Sequence, residues 1–266
     1  MRISIITVCY NAEDTIEQTI RSVVQQTYAN IEYIIVDGHS KDGTMDIVQS
    51  YDAQISTIIS EDDNGIYDAM NKGIRVATGD YIQFLGADDC LVDPYTIERV
   101  CNAICDDTDV FSAPCIAVNE RYHCEGLLDA EGVSKEDVSS LPKLPHPGVF
   151  VRSDVLKQQP FDTSYRIAGD LKLLLKLYYT MKKNFQFADF PVTYFSLGGV
   201  SNKEQKHAEM ENQRIIKDLA LSDHASALLQ HGTSVKLKSL IRNILDRAHL
   251  WGWFLCTFKK WKQHHC

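Results

Sequence analysis

Little in this 266-residue sequence offers the usual means of holding a phosphate. No G-x-G-x-x-G follows its first apolar segment, which weighs against a dinucleotide-dependent dehydrogenase, and no G-x-x-x-x-G-K-[ST] occurs, which excludes an ordinary P-loop kinase. Basic residues are in deficit. The 27 Lys and Arg stand against 36 Asp and Glu, and the net charge of -9 argues against a nucleic-acid surface. The eight cysteines include no Cys-x-x-Cys pair, and the N-terminus enters an apolar segment without a signal-peptide pattern, so a reducing cytosol is the expected compartment. Cys101, Cys105, Cys115 and Cys124, with His123, are the residue types of a zinc site at the spacing of none, so buried free thiols are expected. The longest apolar run near the end, Leu250 to Phe258, falls short of the roughly 20 residues that span a bilayer.

What is present reads as a globular α/β chain. Hydrophobic residues at 44% and charged residues at 24% supply a sizeable core without disulfide staples. Ile3, Ile5, Ile6 and Val8 form a β-branched run, followed by Asp14-x-x-Glu17 and by Ile16, Ile20, Val23 and Val24 at helical spacing. The alternation continues with a strand at Ile31 to Val36 and a helix from about Thr44. A strand at Ser56 to Ser60, a helix near Asp68 to Ala77 closed by Gly79, and a strand at Tyr81 to Leu85 follow. Four such units in a hundred residues predict a mostly parallel sheet with helices on both faces. Beyond Phe111 the pattern turns irregular, then gives an apolar helix at Asp170 to Met181, a strand near Thr193 to Ser196 and a charged helix from about Lys203.

In an open parallel sheet, ligands bind beyond the carboxyl ends of the strands. There the sequence places Thr7, Tyr10 and Asn11, then Asp37 to Thr44, then Glu61 to Gly65, then Gly86-Ala-Asp-Asp89. Acids aimed at an anionic ligand repel it unless a cation intervenes, and Mg²⁺ or Mn²⁺ takes one or two carboxylates plus substrate phosphates. Asp88 and Asp89 suit that role. They equally suit an N-cap for a helix beginning near Pro94.

The succession Ser4-Ile-Ile-Thr-Val-Cys-Tyr-Asn11, Val36-Asp-Gly-His-Ser-Lys-Asp-Gly-Thr44, Gly65-Ile-Tyr-Asp-Ala-Met-Asn-Lys-Gly73, Ala77-Thr-Gly-Asp80 and Phe84-Leu-Gly-Ala-Asp-Asp89 resembles family 2 glycosyltransferases, which have the GT-A fold, a Rossmann-like sheet flanked by helices. The resemblance covers about residues 3 to 200, more loosely after 115. It implies an inverting, metal-dependent enzyme that moves a sugar from a nucleotide-sugar donor, a UDP-sugar in the favoured case, to a glycan or lipid-linked acceptor. Thr7, Tyr10, Asn11 and Asp37 would line base and ribose, although Asp37 before Gly38 also reads as a turn cap. Asp68, Asn71 and Lys72 would sit at a helix start, with Lys72 either at the donor diphosphate or simply solvated. Asp89 matches the last acid of the family's D-x-D motif, which binds the metal, and Asp88 would lie near the donor sugar or ribose. Ala87 departs from the motif by replacing its first acid, which puts the number of protein ligands in question. Asp170 matches the catalytic base, and the same position reads as a helix N-cap. His146 between two prolines, and Gly198 and Gly199, also resemble family features near acceptor or donor phosphates.

The expected organisation is a donor half over 1–115, an acceptor half over 116–232 and a basic tail over 233–266. Residues 236 to 266 carry seven Lys and Arg against one acid, leaving the first 235 residues at -15. With Leu237, Leu240, Ile241, Ile244, Trp251 and Phe254 interleaved, that tail reads as a helix lying on an anionic membrane at the cytosolic face, as a helix docked on the domain, or as a homodimer contact. Two other classes compete. A sugar-phosphate nucleotidyltransferase would bring a glycine-rich basic stretch near the N-terminus, where residues 9 to 21 offer only Arg21. A non-catalytic nucleotide-sugar or glycan-binding protein would have no need of both Asp89 and Asp170.

Overall fold

The β-branched runs of the first hundred residues become strands β1 (Ile3–Cys9), β2 (Ile31–Asp37), β3 (Thr57–Ser60) and β4 (Tyr81–Phe84). The amphipathic stretches between them become α1 (Ile16–Val24), α2 (Thr44–Ser50) and α3 (Ile66–Val76). This computed structural model describes residues 1–119, 124–128, 146–197 and 204–221. The elements that follow are β5 (Cys90–Leu91), α4 (Thr96–Ala103), β6 (Val110–Ser112), β7 (Cys115–Asn119), β8 (Cys124–Leu128), β9 (Val149–Arg152) and α5 (Ser153–Gln158). Then come α6 (Gly169–Leu175), continued by one π turn over Lys176–Thr180, then β10 (Phe185–Phe187), β11 (Thr193–Ser196) and α7 (Gln205–Asp218).

Seven strands form one sheet in the order β10-β6-β9-β4-β1-β2-β3, and β5-β11-β7-β8 form a second. The expected mostly parallel α/β sheet is present. Within the seven-stranded sheet β9 alone runs against its neighbours, pairing antiparallel with β4 and with β6. Because β9 and β10 follow residue 116 yet complete the sheet begun by β1, the two expected halves share one sheet. The tail over 233–266 lies outside the described residues.

Side chains alternate across the strands, so each face builds its own core. Ile6, Ile34, Val36, Ile82 and Phe84 pack with α3, α5 and α6. Ile3, Ile5, Tyr33, Ile35, Phe111 and Phe150 pack with α1 and α4 on the other face. Local capping differs from expectation. No side chain caps α1; the amides of Thr15 and Ile16 both donate to the carbonyl of Ala12 instead. Gly79 does not close α3, which ends at Val76; its amide donates to Ser4 Oγ at 2.9 Å. Asp93, rather than Asp88 or Asp89, serves the start of α4, accepting the amide of Tyr95 at 2.8 Å. Of the cysteines expected to be buried, Cys115 is, whereas Cys101 is half-buried and Cys105 exposed. Among the described residues no group of three or more His, Cys, Asp or Glu is placed to hold a metal.

One side chain bolts α3 to the segment leading into α6. Asn71 donates from Nδ2 to the carbonyl of Phe161 and accepts that residue's amide at Oδ1, both at 2.9 Å. Removing both partners of a buried backbone pair leaves two groups unsatisfied. We therefore expect Asn71→Ala to lower unfolding stability by about 2–4 kcal/mol in urea titrations; a loss under about 0.5 kcal/mol would show that the bolt contributes little.

Candidate functional site

Parallel strands deliver their carboxyl ends to one edge, and strand order reverses at β1, which has β2 on one side and β4 on the other. Three loops follow β1, β2 and β3 there. Tyr10 is 63% exposed and its ring lies over Gly38. Asn11 adopts φ 48° and accepts the amide of Lys41 at 2.9 Å, while its own amide donates to Ser40 Oγ. His39, at φ 64°, pairs through Nδ1 with Asp62 at 3.0 Å. Gly65 has φ 108°, a conformation that favours glycine, and it turns the chain into α3.

Several residues expected to line this rim face inward instead. Thr7 is fully buried and pairs with the Tyr33 hydroxyl at 3.2 Å. Asp37 is also fully buried. Its carboxylate receives the amide and hydroxyl of Ser40 and, at 2.7 Å, the hydroxyl of Ser60, so it fixes the loop as the turn-cap reading anticipates. Lys72 is buried in turn, donating to the carbonyl of Asp62 at 2.6 Å and pairing with Glu61 at 3.1 Å. Asp68 accepts the amide of Asn64 at 3.0 Å. Asp37, Lys72 and Asp68 shape the rim from beneath by holding its loops, whereas Thr7 ties β1 to β2.

At the end of β4 the chain turns through Gly86 to Asp89. Asp88 is exposed, and among the described residues it makes no hydrogen bond or ion pair. Asp89 is only 3% exposed and ties two segments together: Oδ2 accepts the amide of Gly86 at 3.2 Å and Oδ1 that of Ser196 at 2.9 Å. Burial, reinforced by the charge of Asp88, pushes its carboxyl up to about 7. The Thr19 hydroxyl on α1 donates to the Asp89 carbonyl at 2.7 Å and steadies the turn. Gly198 and Gly199 lie outside the described residues.

Asp170 stands in the first turn of α6, where the helix dipole favours negative charge, but it does not cap the helix. Its Oδ1 is 2.9 Å from the hydroxyl of Tyr67, which is also 2.6 Å from the carbonyl of Ile167. A phenol has one hydrogen, so these two acceptors compete for it while Asp170 is ionised. Once Asp170 takes a proton it donates to the Tyr67 oxygen, Tyr67 donates to Ile167, and every partner is satisfied. The site therefore accommodates a carboxylate that gains a proton. Burial, and then the Asp170 charge, hold the Tyr67 phenol well above its ordinary range, so it remains a donor. Gly169 makes the approach possible, since a Cβ there would sit 2.8 Å from the Tyr67 ring.

Glu211 on α7 fixes the approach to Asp170. It accepts the amides of Arg166, Ile167 and Ala168 at 2.7, 2.9 and 2.8 Å. Burial opposes its charge, but the three backbone donors prevail and hold its carboxyl below the usual range. Neither Tyr67 nor Glu211 stands out in the sequence as a site residue. The one available signal for Tyr67 is its place between Gly65 and Asp68 in a motif segment; Glu211 has none. His146 reaches the same region, with its ring stacked on Phe84 at 5.6 Å.

The family model described as Glycosyl transferase family 2 matches residues 4–124. A PGL/p-HBAD biosynthesis glycosyltransferase of Mycobacterium bovis (strain BCG / Pasteur 1173P2) is 28% identical over 207 residues, covering 75% of this chain and 78% of its own. Among solved structures, S. aureus TarS 1-349 in complex with UDP-GlcNAc superposes with a TM-score of 0.62 at 21% identity, over 74% of this chain and 58% of that one. The mannosyltransferase PcManGT from Pyrobaculum calidifontis, in complex with GDP-Man and Mn²⁺, gives 0.61 at 14% identity, over 92% and 80%. At such identities the two structures establish a shared GT-A-type fold and nothing finer. Over residues 4–124 this chain is thus similar to glycosyl transferase family 2.

Proposed function

We propose that this chain is an inverting glycosyltransferase that moves a sugar from a nucleoside-diphosphate sugar, with UDP the favoured nucleotide, onto a hydroxyl of a glycan or lipid-linked acceptor in surface polysaccharide or glycolipid assembly. The observation that carries the reading is the pairing of two features at one sheet edge: the Asp88–Asp89 carboxylates after β4, and Asp170 backed by Tyr67. Asp170 takes the proton of the acceptor hydroxyl as its oxygen attacks the anomeric carbon and the bond to the diphosphate breaks on the opposite face. Tyr10 offers an exposed ring for a nucleobase to stack on, with Asn11 beside it. The UDP-GlcNAc bound by TarS supports a UDP donor.

A divalent cation, Mn²⁺ or Mg²⁺, fits the Asp88–Asp89 pair. Asp89 is a buried carboxylate whose ionisation is opposed by burial and by Asp88, and a cation relieves both. With two carboxylates at hand, the remaining oxygens would come from the donor phosphates and water. Such an ion supplies charge neutralisation for the departing diphosphate. The Mn²⁺ bound by PcManGT supports this choice. The basic stretch 236–262, outside the described residues, would hold the enzyme peripherally on an anionic cytosolic membrane face. Among the described residues no helix is long and apolar enough to cross a membrane.

Thermal stabilisation across UDP, GDP, dTDP and CMP, with and without Mn²⁺, should show a metal-dependent shift for one nucleotide, abolished in Asp89→Ala; no shift with any nucleotide would reject the transferase reading. Asp170→Asn should lower turnover by about 10²–10⁴-fold while leaving nucleotide binding intact, and a product of retained anomeric configuration would exclude single displacement. Full-length protein should bind anionic vesicles and a truncation ending at Gly232 should not. Asp89 also predicts a pH dependence. Its folded value near 7 exceeds the unfolded 3.8, so the native state binds the extra proton. The group therefore costs nothing below about pH 4 and destabilises metal-free protein increasingly up to about pH 7. Relative to Asp89→Asn, the wild type should lose up to about 4 kcal/mol across that window at 1.36 kcal/mol per unit; a constant difference in urea unfolding would refute the raised proton affinity.

A further inference from the structure

Each residue from Ser164 to Ala168, the segment that leads into α6, is held by a side chain of α7 or of its N-cap. Arg214 donates to the Ser164 carbonyl at 3.1 Å and to the Ser164 hydroxyl at 2.8 Å. Tyr165 donates its hydroxyl to Asp218 at 2.7 Å, and its ring centre lies 4.3 Å from the Arg214 guanidinium. Arg166 pairs with Glu204 at 2.9 Å, and the amides of Arg166, Ile167 and Ala168 all end on Glu211. Glu204, Glu211, Arg214 and Asp218 recur at the spacing of one helix face. Of these, Glu211 is the one taken out of water, at 7% exposed, and a carboxylate is rarely buried unless it is paired.

The peptide bonds of the described residues are trans, so the N–H and C=O of one planar unit point in opposite directions. The unit joining Ile167 to Ala168 aims its N–H at Glu211 Oε2, at 2.8 Å. Its C=O therefore faces the other way, where it receives the Tyr67 hydroxyl at 2.6 Å. That hydroxyl stands 2.9 Å from Asp170 Oδ1. One rigid plane thus has the Glu211 carboxylate on one side, and Tyr67 with Asp170 on the other. Turning the plane would carry the Ile167 oxygen away from Tyr67. Burial opposes the Glu211 charge, yet the three amides hold its carboxyl below the usual range, so the charge is present at neutral pH. An N–H bonded to a carboxylate polarises its peptide and strengthens the oxygen at the far end as an acceptor. The Tyr67 hydrogen is drawn towards Ile167, which leaves Asp170 Oδ1 with a lone pair for a substrate proton.

We propose that Glu211 is a positioning residue for Asp170, acting through the Ile167–Ala168 peptide and the Tyr67 hydroxyl. The inference rests on the reading of Asp170 as the base. Glu211 fixes the segment from which α6 starts, and by the same contact it sets which of two acceptors takes the Tyr67 hydrogen. α7 thereby becomes the element that aligns the base.

The test uses full-length protein. In protein labelled with ¹³C at tyrosine Cζ, the NMR signal that disappears in Tyr67→Phe belongs to Tyr67. It should move in Glu211→Ala with no ligand added, and an unmoved signal overturns the proposal. Turnover is read as UDP release from UDP-GlcNAc with water as the acceptor. In Glu211→Ala kcat should fall roughly 10- to 100-fold with KM unchanged. Glu211→Gln keeps an oxygen for the Ala168 amide and should recover most of the loss. Tyr67→Phe keeps the ring packed on Phe161 and removes the hydroxyl, so it should lose a similar factor. In that background Glu211→Ala should cost nothing further, because both changes break one route. Losses that multiply would overturn the route. If Glu211→Ala fails to fold, Tyr67→Phe decides, since it leaves the Glu211 contacts in place: wild-type kcat there, alongside an inactive Asp170→Asn, sinks the positioning role alone. Wild-type turnover in Asp170→Asn would instead overturn the base assignment, even where the Tyr67 signal moves.

Discussion

The loops that follow β1, β2, β3 and β4 reach the same edge because those strands are parallel. The reversal of strand order at β1 then separates the helices that leave that edge. α1 packs on one face with Ile3, Ile5 and Tyr33, and α3 on the other with Ile6, Ile34 and Ile82. In open α/β sheets ligands bind at such a switch point, beyond the ends of the strands. Tyr10 and Asn11 follow β1 there, and Gly86 to Asp89 follow β4. β9, inserted antiparallel beside β4, brings the His146 turn to that same end, and α6 adds Asp170. A sheet of another order would scatter these groups.

Loops at such an edge must be held, and buried carboxylates do most of the holding. Asp37 accepts from Ser40 and Ser60, Asp89 from Gly86 and Ser196, and Glu211 from three successive amides before α6. Each charge is taken out of water, which costs several kcal/mol unless donors surround it. Asp37 and Glu211 are well supplied. Asp89 has two amides and an acidic neighbour, and it is the carboxylate whose ionisation is most visibly opposed. The least satisfied of the three is the one proposed to meet a cation.

How much of this was legible in the sequence follows from the range of each interaction. Strands β1 to β4 were legible because their β-branched runs are local, and so was the convergence of their loops. The antiparallel placement of β9 was not, since nothing in Val149–Arg152 records its direction. Tyr67 and Asp170 lie 103 positions apart, and Glu211 lies 43 to 45 from the amides it accepts, so neither partnership leaves a local pattern. Asp37 stands at a strand end, but Thr7 lies within β1 and Lys72 in the middle of α3, and all three side chains turn inward. Position along a strand end can be read from sequence, whereas the direction of a side chain depends on partners such as Tyr33, Ser60 and Glu61 that arrive from other elements.

The inward turn of Lys72 bears on the chemistry proposed for this edge. Glu61, Asp62, Asp63 and Asp88 crowd the rim, and the ammonium nearest to the first two is already engaged by Glu61 and the Asp62 carbonyl. A diphosphate entering such a rim gains little from Lys72 and meets several carboxylates. At 4 Å and an effective dielectric near 20, each unpaired like-charge contact is worth about 4 kcal/mol before screening. On the proposed function the donor cannot bind tightly by itself. It would arrive with its cation, whose charge reverses the sign of the contact with Asp88 and Asp89, so nucleotide affinity and metal concentration should be coupled rather than additive.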